Sequence, residues 1–176
     1  MHQFSADIRK IRERARKHIT DGAVTGGYKA DREQVIKVLN QVLATEIVCV
    51  LRYKRHYYMA SGINSDGAKT EFLQHANEEQ QHADWVAQRI TQLNGEPDFN
   101  PEGLATRSHS EYDEKASLTE MIQEDLVAER IAIESYSEII RWLGNDDPTT
   151  RTLIEQILKM EEEHADDLAN LLAQIS

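Results

Sequence analysis

With 176 residues and 20.2 kDa the chain is long enough for one domain with its own core, and its single cysteine, Cys49, excludes an internal disulfide or a cysteine-rich metal site. The formal charge of −11 disfavours general binding to nucleic acid and suits a protein that attracts cations. No continuous apolar run reaches the 18 residues of a membrane span, and the segment 1–20 is basic and amphipathic rather than signal-like, so the expectation is a cytoplasmic protein without a membrane partner.

Glycine and proline number only 8 and 3 and sit between periodic segments, which predicts an all-α chain: a four-helix bundle preceded by an extra N-terminal helix. Residues 1–28 form a basic arm, with Arg9, Lys10, Arg12, Arg14, Arg16 and Lys17 against Asp7 and Glu13. Such a helix packs on the acidic body or on a neighbouring subunit, and DNA phosphate is its less favoured partner. Residues 29–176 form the bundle. Its first helix starts behind Asp31, with Gln34 three positions on as a capping signal; Val35, Val38, Leu39, Val42 and Leu43 follow the helical period, and the helix ends by Ser61–Gly62. The second spans about Gly67 to Asn94, with Gly95 as its left-handed stop and Pro97 beyond. The third opens on Ser117, with Glu120 closing a capping box, and stops at Gly144; the fourth opens on Pro148 behind an Asp147 cap. Short links make each consecutive pair antiparallel. The link of about 22 residues between the second and third helices reaches ~70 Å when extended, more than the ~40 Å of a bundle helix, so it is expected to cross the length of the bundle.

One pattern occurs twice in these helices. Glu46 is followed by Glu79-x-x-His82, and Glu129 by Glu161-x-x-His164; residues 78–87 align with 160–169, and each lone Glu carries a Tyr seven positions on, Tyr53 and Tyr136. Glu46 and Glu79 each lie ~16 residues from the first turn, about 24 Å along their helices, so they share a level, and Glu129 and Glu161 do the same about the second turn. Residues three apart share a helix face, so each Glu-x-x-His presents both side chains to one place. Four carboxylates and two imidazoles on four helices are what two divalent ions need, and hard oxygens with imidazole select iron or manganese. Four ionised Glu balance two M²⁺, whereas the metal-free site must take up protons, so metal binding is expected to release them. Glu79 and Glu161 are expected to bridge, Glu46 and Glu129 to be terminal ligands, and His82 and His164 to hold one ion each.

At these residues the chain resembles the ferritin-like superfamily, and within it the bacterioferritins and the DNA-protection (Dps-like) proteins that carry a bacterioferritin-type site. The resemblance covers residues 31–174 and rests on Glu46, Glu79, His82, Glu129, Glu161, His164, the two His-Ala-Asp stretches and Tyr53. It implies a ferroxidase whose intrasubunit di-iron centre oxidises Fe(II) with O₂ or H₂O₂, the ferric product being stored as mineral in a hollow homo-oligomeric shell that protects against oxidative damage. Tyr53 matches a family tyrosine that donates an electron and is the catalytic candidate; Trp85, three after His82, is a second aromatic placed to help. The family's haem is held by a Met directly after the first bridging Glu, where this chain has Gln80, so haem is not expected. Bacterioferritins also continue into a fifth helix, whereas this sequence ends 12 residues after His164, which favours a 12-mer over a 24-mer. The same ligand skeleton serves manganese catalases and rubrerythrin-like peroxidases, although Ala132 stands where rubrerythrins have an extra Glu and their Cys pairs are missing. A DNA-binding scaffold using the basic arm is the remaining alternative.

Cys49 is expected to be a small buried apolar residue. His56, His75 and His109 are ordinary polar side chains or transit ligands for metal, and Asp84 and Asp166, two after each ligand His, orient the site or line an ion path unless they lie on solvated faces.

Overall fold

The computed structural model describes residues 5–175; residues 1–4 of the basic arm and Ser176 lie outside it. The described residues hold six helices and one 3₁₀ turn, Ile19–Asp21, and no strand. They are α1 (Ile8–Ala15), α2 (Arg32–Met59), α3 (Ser65–Gln92), α4 (Leu104–Arg107), α5 (Leu118–Leu143) and α6 (Pro148–Ile175). α2 packs along α3 and α5 along α6, and contacts of α2 with α5 and of α3 with α6 close the two hairpins into a four-helix bundle. α1 buries no residue.

Local chemistry explains where the helices begin. Asp31 accepts a hydrogen bond from the Gln34 amide at 3.2 Å, Ser117 and Glu120 form a reciprocal capping box, and Asp147 accepts from the Thr150 amide at 2.9 Å. α3 begins two residues before the expected Gly67, because the Ser65 hydroxyl donates to the Gly62 carbonyl at 2.8 Å and the chain is already turning there. Its end also differs from expectation. Asn94, not Gly95, takes the left-handed conformation, with φ 61°, and the Gly95 amide bonds Ile90 O at 2.9 Å while the Asn94 amide bonds Thr91 O at 2.9 Å, the two bonds of a Schellman motif. Gly95 is needed for a different reason: a Cβ there would lie 2.8 Å from Ile36 Cγ2.

The long link runs beside α2 in the same direction. Asn40 bonds Glu96 O and the Asp98 amide, Thr45 the His109 amide, Arg52 the Glu111 carbonyl, and Arg55 the carbonyls of Glu114 and Lys115. This ladder carries the chain from one end of the bundle to the other, as a crossover requires, and α4 is a single turn within it, too short for any periodic signal.

The apolar core falls into two clusters. One holds Val35, Leu39, Val42, Leu43, Val86, Ile90, Ile139, Ile154 and Ile157; the other holds Phe72, Ala76, Met121, Ile122 and Leu168. Between them, on all four long helices, lies a layer of buried Glu and His. α2 has the length and hydropathy of a membrane span, but it is a core helix of the bundle and carries Glu46, Arg52 and His56 on its buried face.

Two buried polar clusters tie the elements together. At one end Asp147 receives Arg89 Nη2 at 3.0 Å, the Thr150 hydroxyl at 2.6 Å and the Tyr28 hydroxyl at 2.9 Å, which pins the segment before α2. Near the centre Asp125 accepts Arg52 Nε at 2.8 Å and faces His56 Nδ1 at 2.9 Å, all three fully or almost fully buried. Removing one partner of a buried ion pair leaves the other charge uncompensated. Asp125→Ala should therefore lower unfolding free energy by about 3–5 kcal/mol in a denaturant titration, and a loss below about 1 kcal/mol would show that Arg52 is satisfied without it.

Candidate metal centre

Glu46 comes from the middle of α2, Glu79 and His82 from α3, Glu129 from α5, and Glu161 and His164 from α6. All six meet in the polar layer between the two apolar clusters, and none is more than 2% exposed. His82 Nδ1 faces Glu46 Oε2 at 3.2 Å, Glu79 Oε2 at 3.5 Å and Glu161 Oε1 at 3.2 Å. His164 Nδ1 faces Glu79 Oε1 at 3.3 Å, Glu161 Oε2 at 3.3 Å and Glu129 Oε2 at 3.9 Å. Glu79 and Glu161 thus turn one oxygen toward each imidazole, whereas Glu46 and Glu129 each address one. Two four-residue groups result, Glu46, Glu79, His82, Glu161 and Glu79, Glu129, Glu161, His164, sharing the two central carboxylates. Glu79 Oε1, both Glu161 oxygens and His164 Nδ1 are buried without a hydrogen-bond partner, a costly arrangement that a cation coordinated by these atoms would relieve.

The tyrosines explain the seven-residue spacing. Seven positions are two helical turns, so Tyr53 and Tyr136 lie on the same faces as Glu46 and Glu129, but each reaches across to the other hairpin: the Tyr53 phenol donates to Glu129 and the Tyr136 phenol to Glu46. Tyr136, given no role from sequence, is therefore the counterpart of Tyr53, and the repeat carried that signal. The outer nitrogens of the two imidazoles differ. His164 Nε2 donates to Glu78 Oε2 at 2.8 Å, while His82 Nε2 faces the thioether of Met160 at 3.2 Å. Glu78 and Met160 occupy matching places, each just before a central Glu, so the repeat is broken at this position. A carboxylate behind a ligating imidazole fixes its tautomer and raises its basicity, and a thioether is a weak acceptor, so the two half-sites are inequivalent.

The other sequence candidates fall outside the six. Trp85 is half-buried with its ring 5.6 Å from that of His82, Cys49 is buried with its thiol pKa pushed up by burial, and His56 belongs to Asp125. His109 is half-buried in the crossover, where its own amide bonds Thr45. Asp84 and Asp166 are exposed and accept from Gln80 and Asn170 one turn away, so neither orients a ligand His; two positions along a helix turn a side chain to the far face. His75 is fully buried and stacks on His164 with ring centroids 4.0 Å apart. Burial, assisted by His164, holds its pKa down at about 3.

The electrostatics of the metal-free layer are consistent with shared protons. Burial raises Glu46 to about 8, helped by the charge of Glu79, and burial raises Glu129 well above the carboxylate range, helped by Glu79 and Glu161. Burial and neighbouring carboxylates push Glu79 and Glu161 up, but the two imidazoles facing them, with Glu46 beside Glu79, outweigh this and leave both below the ordinary value. Burial disfavours charge on the imidazoles, yet their carboxylate partners hold His164 at about 12 and His82 higher still. Glu46 and Glu129 are thus pushed toward their neutral acids and both imidazoles toward their protonated forms, so the layer offsets its carboxylates with protons. Two M²⁺ with four carboxylates and two neutral imidazoles are neutral overall, so the residues present fit a pair of divalent ions.

The ferritin-like domain family matches residues 36–176. A bacterioferritin of Desulfovibrio desulfuricans is 26% identical over 151 residues, covering 85% of this chain and 80% of that protein. A nutrient stress-induced DNA-binding protein of Nostoc is 32% identical over 147 residues, covering 81% and 79%. Among solved structures, a dodecameric thioferritin of Bacteroides fragilis, a bacterioferritin-related protein, superposes with a TM-score of 0.80 at 31% identity, covering 84% of this chain and 89% of that one. Dps from Thermosynechococcus elongatus shares the fold, with a TM-score of 0.76 at 20% identity over 80% of this chain and 90% of that one.

Filling the layer with two M²⁺ should displace protons near pH 7, those of Glu46 and the two imidazoles among them, read by calorimetry in buffers of different ionisation enthalpy. Release near zero would contradict the protonation pattern. Raised folded-state pKa values, such as that of Glu46, stabilise fully below the unfolded value of 4.5 and lose that contribution as pH rises through about 8. Glu129 and the imidazoles carry the same sign over their own ranges, so the melting temperature of the metal-free protein should fall from about pH 6 to 9 and that of the metal-loaded protein should change less.

Proposed function

The chain belongs to the ferritin-like family, and we propose that it is a ferroxidase that oxidises Fe²⁺ at the Glu46, Glu79, His82, Glu129, Glu161, His164 cluster and stores the ferric product in a closed shell of its own copies. The observation that supports this most strongly is the pair of central carboxylates, each turned to both imidazoles with buried oxygens lacking a hydrogen-bond partner. Iron is the substrate. Two Fe²⁺ give up two electrons and O₂ or H₂O₂ takes them, leaving two Fe³⁺ bound by hard carboxylate oxygens.

The residues divide the work. His82 and His164 would hold one ion each, Glu46 and Glu129 would complete the two ends, and Glu79 and Glu161, turned to both imidazoles, would be shared between them. The apolar clusters on either side exclude bulk water and keep the six donors in register. Tyr53 has an acceptor for its phenolic proton already in place in Glu129, so it is set to shed that proton while giving one of the further electrons that O₂ needs beyond the two from iron to reach water. The Bacteroides fragilis protein is dodecameric, and its 31% identity over 84% of this chain supports twelve subunits here. A secondary reading, DNA contact through α1, is favoured by its exposed Arg9, Lys10, Arg12 and Arg14 and opposed by the overall charge of −11.

The protein should oxidise Fe²⁺ faster than buffer alone and accumulate a ferric core, and Tyr53→Phe should slow turnover several-fold while the site still takes two ions. Unchanged turnover in that variant would reduce Tyr53 to packing, and metal-dependent H₂O₂ disproportionation without iron uptake would instead indicate a catalase. Light scattering should give about 240 kDa, twelve chains of 20.2 kDa. A mass of about 485 kDa would indicate 24 chains, and a monomer or dimer under iron loading would remove the storage claim.

A further inference from the structure

His75 is fully buried, yet its Nε2 atom has no hydrogen-bond partner. Its other nitrogen faces the Tyr53 hydroxyl. The Tyr53 phenol spends its only hydrogen on Glu129, so at 3.3 Å from His75 Nδ1 its oxygen can only accept. Nδ1 of His75 therefore carries a hydrogen, and in the neutral ring Nε2 presents a lone pair. That lone pair faces two more acceptors, Glu71 Oε2 and Asp167 Oδ2, each 3.7 Å away. Three acceptors pointed at one another with no donor between them repel, and the arrangement is relieved by a cation at its centre.

We propose that Glu71, Nε2 of His75 and Asp167 form a third divalent-cation site, beside the dinuclear cluster and open to solvent, at which Fe²⁺ is taken up before it passes to the cluster. The three ligand atoms lie within 4.8 Å of one another. Ligands about 2.1 Å from an ion in tetrahedral array stand about 3.4 Å apart, close to the 3.7 Å found. One imidazole and two carboxylates suit Fe²⁺, Co²⁺ or Zn²⁺ better than Ca²⁺. The Glu71 and Asp167 side chains are 31% and 49% exposed, so an ion reaches them from water without any movement of the bundle. From there the stacked rings of His75 and His164, with Glu78 bonded to the latter and part of a second group with both rings, lead to the cluster.

The internal repeat provides a control. The positions matching Glu71, His75 and Asp167 in the other half are Leu153, Ile157 and Trp85. Those three belong to or pack against the larger apolar cluster. One flank of the dinuclear site is thus closed by hydrocarbon and the other is built from ligands, so the polar flank is not a by-product of the duplicated pattern.

The binding site stands on its own geometry, while its role in uptake rests on the ferroxidase reading, and two measurements separate them. Asp167→Asn and Glu71→Gln alter partly exposed side chains and leave the core intact. Titrated with Co²⁺ and followed by visible absorption and bound-metal analysis, the full-length protein should take up about three ions per chain and each variant about two. Two ions in the unaltered protein, or three in both variants, would overturn the site. In Fe²⁺ oxidation, Asp167→Asn should raise KM about tenfold with kcat within about twofold, since uptake is impaired and the cluster is untouched. An unchanged KM would overturn the uptake role. Three Co²⁺ bound by a protein that oxidises no Fe²⁺ would support the site and remove only the ferroxidase reading.

Discussion

Four carboxylates buried in one layer set the terms for the rest of this bundle. Each ionised carboxylate taken out of water costs several kcal/mol unless it is paired, and four together repel. The chain meets this with two imidazoles placed between the carboxylates and two phenols that donate to the terminal ones. Even so, oxygens of Glu79 and Glu161 are left without partners. Two divalent ions would satisfy them and balance four carboxylates, the task otherwise shared by the raised imidazoles and the protons on Glu46 and Glu129. The apolar clusters above and below keep that layer in place, and the crossover ladder along α2 fixes how the two hairpins face each other.

The two hairpins are related by a repeat, and the departures from it carry functional content. Glu46 and Glu129, the two Glu-x-x-His pairs and the crossed tyrosines keep the symmetry. Glu78 against Met160 breaks it, so one imidazole is backed by a carboxylate and the other by a thioether. His75 against Ile157 breaks it again, on the same side as Glu78. Both departures add polar groups around His164. The His164 end of the cluster lies on the flank of Glu71, His75 and Asp167, and the His82 end lies toward the apolar flank near Trp85.

Much of this was legible in the sequence because short-range rules governed it. Asp31, Ser117 and Asp147 cap the helices they were expected to cap, and residues three or seven apart share a face whatever else the chain does. Where those rules compete, the sequence alone misleads. Gly95 looks like a left-handed stop, but Asn94 tolerates that conformation and Gly95 is held by the close approach of Ile36, a contact between residues far apart in the chain. Asp84 and Asp166 follow their histidines closely in sequence and turn away from them in space. The bond of Glu78 to His164 and the burial of His75 between Tyr53 and Asp167 join different helices, and no period in the sequence encodes them.

The central claim is that the six residues hold two ions bridged by Glu79 and Glu161. Anomalous diffraction at the iron edge, from crystals loaded with Fe²⁺ under anaerobic conditions, addresses it directly. The account predicts two peaks within the cluster of each chain, about 3.5–4 Å apart, one against Glu46 and His82, the other against Glu129 and His164, and both against Glu79 and Glu161. A single peak in the cluster, or iron bound only outside these six side chains, would contradict it.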